Sequence, residues 1–356
     1  MIEARPPQPS LWSRARAFFA RVFRRAPPEP GRFDTGSKFA WRGWVPVAPW
    51  VWPSRDYLVY VPRGHARWRR RPLVVLLHGC KQTPEEIAAG TRITALADER
   101  DWLILLPRQA RDANSWGCWN WFDQRTAAGK GEAAIIAAQV RAVRRIYGAH
   151  PRRMFVLGMS SGGCIAAALG LHFAKLFAAV GVHSGVACGA ASSAVTALKV
   201  LTTGADADID AIALQAREQT SAGALPLPLC VIHGDRDSVV APKNAVELVH
   251  QYLVFNGRLP PAARAPDTLP AADTSVSRSL DSDRTMVTDD YRIDGRVVAR
   301  LVRVTGLGHA WSGGDGAFAY NDPHPPDATV LFAAFFCTAA ARRNLTGAKH
   351  MKGPGQ

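Results

Sequence analysis

Residues 156–163 read VLGMSSGG, an apolar run that gives way to small residues and two adjacent serines. Just upstream, RRMFVLG (152–158) carries the short apolar stretch of a buried strand. Downstream, GGCIAAALGLHFAK (162–175) opens a helix. Gly158-Met159-Ser160-Ser161-Gly162 fits Gly-x-Ser-x-Gly with Ser160 at the centre. Ser161 cannot be the centre, because Met159 would then occupy its first glycine position. The spacing has a physical basis. A serine on a sharp strand-to-helix turn needs small neighbours, and the turn lifts its hydroxyl above the sheet beside a helix N-terminus. The alternative is a plain loop of ordinary turn residues.

The same alternation continues on both sides. PLVVLLHG (72–79), WLILLP (102–107), LFAAVGVHSG (176–185) and LPLCVIHGD (227–235) read as buried strands, and YLVYVP (57–62) as an edge strand. Helical spacing appears in PEEIAAGTRITALADERD (84–101), capped by Thr83, and in EAAIIAAQVRAVRRIYG (132–148). It recurs in PKNAVELVHQYLVFNG (242–257) and DATVLFAAFFCTAAARR (327–343). YRIDGRVVARLVRV (291–304) reads as a hairpin around Asp294-Gly295. Strands alternating with helices imply an α/β fold, a mostly parallel sheet with helices on both faces. The breaks divide the chain into a basic, partly amphipathic arm (1–31), one domain (32–345) and a polar tail (346–356). Within the domain, 259–288 is rich in Pro, Ala, Asp, Ser and Thr and reads as a surface insertion.

Charge is unevenly spread along the 356 residues. Of the net +15, residues 1–71 contribute 15 Lys/Arg against 4 Asp/Glu. In the arm, LWSRARAFFARVFRR (11–25) alternates aromatics with arginines, which suits an anionic membrane surface or an acidic partner; a solvated arm is the alternative. Nucleic acid is not an expected partner, since no zinc-finger or RNA-binding signature is present. No run of about 18 uncharged apolar residues exists to span a membrane. The N-terminus has no continuous apolar core followed by a small-residue cleavage site, which favours a cytoplasmic location. None of the six cysteines forms a CxxC pair, so a structural zinc is not expected. Cys164, Cys230 and Cys337 sit in apolar runs and read as core. Cys80 and Cys118 fall beside the site loops, and a bridge between them is left open.

A serine nucleophile needs a base, and the base an orienting acid. On this fold they follow in the order Ser, Asp/Glu, His. HGDRDSVV (233–240) holds Asp235 and Asp237, and GLGHAWSGG (306–314) holds His309; both follow strands, where open α/β sheets place their sites. LLHGCKQ (76–82) ends an early strand, so the amides of Cys80 and Ser161 are the expected oxyanion donors. A thiol nucleophile at Cys80 is the alternative, less suited to its position. His183 and His233 read as structural. Trp119 and Trp311 neighbour motif loops and read as walls of a substrate cleft, with core filling as the alternative. This chemistry needs no metal or organic cofactor.

Together HGCKQ, CWNWF (118–122), GMSSGG, HSG (183–185), HGDRDSVV and GHAWSGG, in this order, resemble the poly(3-hydroxybutyrate) depolymerase family of α/β-hydrolase esterases. The likeness runs from about residue 57 to the final helix. It implies Ser160 as nucleophile, His309 as base, Asp237 rather than Asp235 as acid, and Cys80 in the oxyanion loop. The implied partner is an ester substrate: a hydroxyalkanoate oligomer or polymer, an acetylated or feruloylated sugar, or a simple short acyl ester. Many members of the family are secreted, so an extracellular location is the alternative. The chain departs in its basic arm, its long 259–288 segment and the lack of an added substrate-binding domain. An acyltransferase or peptidase using the same residues, and a noncatalytic surface-binding protein, are the other function classes.

Overall fold

The computed structural model describes residues 30–39 and 54–350, apart from 206, 222, 223, 225, 263–266 and 282. In chain order the elements are β1 (Arg32–Phe39), β2 (Ser54–Val61), β3 (Leu73–Leu77), α1 (Pro84–Gly90), α2 (Ile93–Arg100), β4 (Leu103–Pro107) and α3 (Gln124–Ala127). Next come α4 (Gly131–Tyr147), β5 (Met154–Met159), α5 (Ser161–His172), β6 (Ala179–His183), α6 (Ala194–Thr203), α7 (Ile209–Glu218) and β7 (Leu229–Gly234). The chain continues through α8 (Lys243–Phe255), β8 (Thr274–Ser279), β9 (Thr285–Ile293), β10 (Arg296–Val304), β11 (Trp311–Ser312), β12 (Asn321–Asp322) and α9 (Ala328–His350).

Among the described residues ten strands form one sheet in the order β1-β2-β4-β3-β5-β6-β7-β10-β9-β8. The central strands β4, β3, β5, β6, β7 and β10 run parallel, and both margins are antiparallel. Because strand side chains alternate faces, each buried strand feeds two cores. Leu73, Val75 and Leu77 of β3 join the core under α4, α5 and α8, while Val74 and Leu76 join the core under α1, α2 and α9. In β5, Met154 and Val156 take the first side, and Phe155, Leu157 and Met159 the second. An unbroken apolar run is the sequence form of that arrangement. The loops at the carboxyl ends of these parallel strands carry the candidate site.

Several expectations need correction. The edge strand is β1, not YLVYVP, which lies one place in as β2. β1 reads RFDTGSKF and is largely exposed, so it has no apolar alternation to signal a strand. Residues 84–101 form two helices, because Arg92 turns left-handed (φ 55°) between them. The Thr83 cap is present, with the reciprocal Thr83–Glu86 capping box. Within the 259–288 segment lies β8, exposed along its whole length and paired with β9. The final helix runs to His350, into the stretch read as a tail. The 291–304 hairpin turns at Asp294 and Gly295, both with positive φ (49° and 72°), as a tight two-residue turn requires.

Residues from Gly31 onward form one compact unit. The basic arm as far as residue 29, with its aromatic–arginine stretch, lies outside the described residues. Among the described residues no helix is long and apolar enough to cross a membrane.

Candidate active site

Ser160 sits between β5 and α5 with φ 54° and ψ −124°, a left-handed conformation that costs a non-glycine residue about 1–3 kcal/mol. Its amide donates to the His183 carbonyl (2.9 Å) and its carbonyl accepts from the Cys164 amide (3.0 Å), fixing the turn on both sides. The flanking glycines answer crowding rather than twist. A Cβ on Gly158 would overlap the Gly162 carbonyl, and one on Gly162 would overlap the Leu77 and His78 carbonyl oxygens. The elbow thus packs directly against the end of β3. Ser161 opens α5, so its amide is a first-turn donor without an intrahelical partner.

Asp237 and His309 come from different loops, after β7 and β10, and meet as a pair. His309 Nδ1–H donates to Asp237 Oδ2 at 2.8 Å. The other carboxylate oxygen, Oδ1, accepts the amides of Val239 (3.0 Å) and Val240 (2.8 Å). Burial alone would raise the Asp237 carboxyl. The hydrogen bond and charge of His309, with the Val240 amide, outweigh it and hold the group down to about 2. Asp235 serves differently: its Oδ1 accepts the Gly306 amide (2.7 Å), tying the two loops together at their base.

Two further histidines back this pair. His233 donates Nε2–H to the Val240 carbonyl (2.8 Å), and burial lowers its pKa. His183 is fully buried and stacks on Trp311 with centroids 5.2 Å apart. Burial, then repulsion between its charged form and those of His233 and His309, pushes it down to about 3. Both stay neutral at pH 7 and serve as structural residues.

The loop after β3 is rigidly built. His78 donates Nδ1–H to the Gly79 carbonyl (2.8 Å) and accepts the Gln109 amide on Nε2 (3.2 Å). Burial holds His78 to about 4, which keeps that tautomer neutral. The Gly79 amide donates to Gln82 Oε1 (2.8 Å). The Lys81 amide donates to the Trp116 carbonyl (3.0 Å). Cys80 and Cys118 form a disulfide, which settles the pairing the sequence left open and staples this loop to the CWNWF segment. Among the described residues the Cys80 amide has no backbone acceptor.

Ser160, Ser161, Cys80 and His309 line one cavity of ≈ 260 Å³. Its apolar walls are Trp121, Leu201, Val239 and Tyr320. A wider cleft of ≈ 680 Å³ adjoins it, sharing Lys81 and Gln82 and lined further by Arg108, Arg111 and Trp116. Trp119 and Trp311 do not line the cavity, contrary to their reading as cleft walls. Both are completely buried: Trp119 donates Nε1–H to the His78 carbonyl (3.0 Å) and Trp311 to Thr329 Oγ1 (3.1 Å). They hold the site loops from behind. Sequence reasoning ranked Trp121, also near the motif loops, below Trp119 and Trp311, and missed Leu201, Val239 and Tyr320 as walls. Leu201 lies on α6, a helix not read from the sequence, and Trp121 sits in an irregular loop where no periodicity tells inside from outside.

The sheet order and the loop-borne residues at its carboxyl end define the α/β-hydrolase fold. Acetyl xylan esterase from Aspergillus awamori has the same fold, with a TM-score of 0.59 at 21% identity over 78% of this chain and 94% of that one. More specifically, residues 55–270 match the family described as Esterase PHB depolymerase, and the chain belongs to that family. Poly(3-hydroxyalkanoate) depolymerase C of Paucimonas lemoignei is 29% identical over 252 residues, 70% of this chain and 57% of that one. Feruloyl esterase B of Neurospora crassa is 32% identical over 138 residues, 38% of this chain and 46% of that one. The chain thus spans about half the length of these curated relatives.

Proposed function

We propose that the protein is a serine esterase that hydrolyses carboxylic esters of short hydroxyacyl or acyl groups. The observation that carries this reading is the His309–Asp237 hydrogen bond beside a cavity that His309 and Ser160 both line. In the proposed mechanism Ser160 Oγ attacks the ester carbonyl as His309 Nε2 takes its proton. Asp237 holds the imidazole in the tautomer that leaves Nε2 free to accept, and stabilises the imidazolium that forms. The amides of Cys80 and Ser161 receive the oxyanion, each donor worth about 3 kcal/mol in the transition state. His309 then returns the proton to the leaving alcohol. Water activated by His309 releases the acyl group from Ser160.

The cavity's size and apolar walls suit a single short acyl unit. The adjoining cleft offers space for the alcohol side of the substrate. A hydroxyalkanoate oligomer presents both parts, and the depolymerase relative points the same way. The feruloyl esterase relative supports a second reading, an ester of a plant-wall sugar. Ser160→Ala is expected to abolish p-nitrophenyl butyrate hydrolysis and fluorophosphonate labelling while leaving the circular dichroism spectrum unchanged. Full residual activity in that variant overturns the assignment. Comparing kcat/KM on hydroxybutyrate oligomers with that on feruloyl and acetyl sugars separates the two substrate readings.

A further inference from the structure

The amino ends of the parallel strands, opposite the end that bears Ser160, carry a concentration of charge that catalysis does not use. Residues 63–71 precede β3, and residues 141–153 are the last turns of α4 and its link to β5. These two stretches hold ten arginines and no aspartate or glutamate. They meet in a cleft of ≈ 750 Å³ lined by Arg67, Trp68, Arg70, Arg144 and Arg145. Among the described residues none of these four arginines has a carboxylate partner, whereas the buried Arg71 is paired with Asp101 (2.5 Å). The surface also exposes apolar groups. Trp68 is 84% exposed, and Ile146 stands out beside Arg145.

The platform is built, not frayed. Arg71 donates to Asp101 and to the carbonyls of Gly64 (3.1 Å), Ala66 (3.4 Å) and Arg69 (3.4 Å), clamping the loop from inside. Arg67 donates to the Arg145 carbonyl (3.0 Å), joining loop to helix. Gly148 turns left-handed (φ 68°), and a Cβ there would overlap the Arg67 carbonyl, so the close approach needs glycine. With the backbone held this way, Arg67, Trp68, Arg69 and Arg70 all face solvent.

We propose that this face docks the protein on an anionic lipid bilayer. The cations would bind acidic headgroups, and Trp68 would sit at the interface, where indole rings partition. Lipid is favoured over nucleic acid because the patch exposes an aliphatic side chain and a tryptophan together, which a phosphate backbone alone does not recruit. A second stretch of the chain, LWSRARAFFARVFRR (11–25), has the same composition of aromatics and arginines. Docking through this end leaves the mouth of the Ser160 cavity free for substrate, so it locates the enzyme rather than feeding it. The inference does not depend on the esterase assignment.

The test is flotation of the full chain with phosphatidylcholine vesicles, with or without roughly one-third phosphatidylglycerol, at low salt. Binding is expected only with the anionic vesicles. The variant Arg67→Gln/Arg70→Gln/Arg144→Gln/Arg145→Gln is expected to reduce partitioning by about tenfold or more. Its p-nitrophenyl butyrate rate is expected to stay that of the parent, and its dichroism melt to fall only slightly through the lost Arg67–Arg145 hydrogen bond. Trp68→Ala alone is expected to reduce it by about threefold. If the quadruple variant does not fold, Arg70→Gln and Arg145→Gln singly are each expected to lower binding by about twofold or more. The arm is present in every variant, so undiminished binding by the folded variants overturns the proposal. So does failure of the parent chain to bind anionic vesicles, or tighter binding to single-stranded RNA at the same salt.

Discussion

Asp235 and Asp237 stand two positions apart in one turn, yet they face different partners. Asp237 meets His309 Nδ1, whereas Asp235 receives the Gly306 amide. The order of motifs narrowed the acid to this pair, and the family resemblance favoured Asp237, but only packing shows what each carboxylate touches. Asp237→Asn is expected to lower kcat/KM by about 10⁴, since it leaves the histidine in the wrong tautomer. Asp235→Asn is expected to lower it less than tenfold and to cost on the order of 1 kcal/mol of stability through the lost loop tie. The reverse ranking, measured on p-nitrophenyl butyrate, would move the acid to Asp235. The tryptophans divide in a comparable way. Trp119→Ala is expected to destabilise by about 3–5 kcal/mol in urea melts, as removal of a buried ring does. Trp121→Ala is expected instead to shift the preferred acyl length, because its ring walls the cavity. Residue types that read alike in CWNWF take separate roles two positions apart because an irregular loop turns them to different neighbours.

At the level of elements, the elbow and the loop after β3 act as one unit. Gly162 presses on the carbonyl ends of β3, so Gly162→Ala must push α5 away from the residues that precede Cys80. A fall of at least about tenfold in kcat, with a lower melting temperature, is expected from steady-state kinetics and a dichroism melt. A Cβ on Gly163 would meet a Val182 methyl (2.9 Å), which can shift, and the Gly158 carbonyl oxygen (3.1 Å), a looser approach than those at Gly162, so Gly163→Ala is expected to be milder. Equal effects of the two would disconnect the elbow from the oxyanion loop. The central strands and the helices beside them were legible because burial on both sides writes itself as apolar runs. Their margins were not. β1 and β8 lie on exposed edges, where backbone pairing holds strands whose side chains carry no pattern. α6 was passed over although apolar residues recur along it.

For the molecule as a whole, buried neutral histidines set the response to acid. His78, His183 and His233 are all held below the ordinary histidine value of 6.5, chiefly by burial. In the unfolded chain they take up protons below that pH, while the folded chain refuses them, so stability falls as pH drops from 6.5 toward 4. Asp237, depressed from 3.8 to about 2, adds stability that is present above 3.8 and lost as pH falls through 2. Melting temperature is therefore expected to be highest near neutrality and to decline below it with a slope of roughly two to three protons. His183→Gln is expected to flatten that decline; an unchanged melting temperature between pH 7 and 4.5 would contradict it. The bond between Cys80 and Cys118 bears on a different property, the redox climate in which the chain can work. It closes a span of 38 residues, a link worth about 4 kcal/mol by loop entropy, and it anchors the segment that carries a proposed oxyanion donor. Glutathione keeps such thiols reduced in the cytosol, so the bond persists only where the surroundings are oxidising. Dithiothreitol is expected to lower both melting temperature and ester turnover. Protein made in an oxidising periplasm is expected to outperform the same chain made in a reducing cytosol.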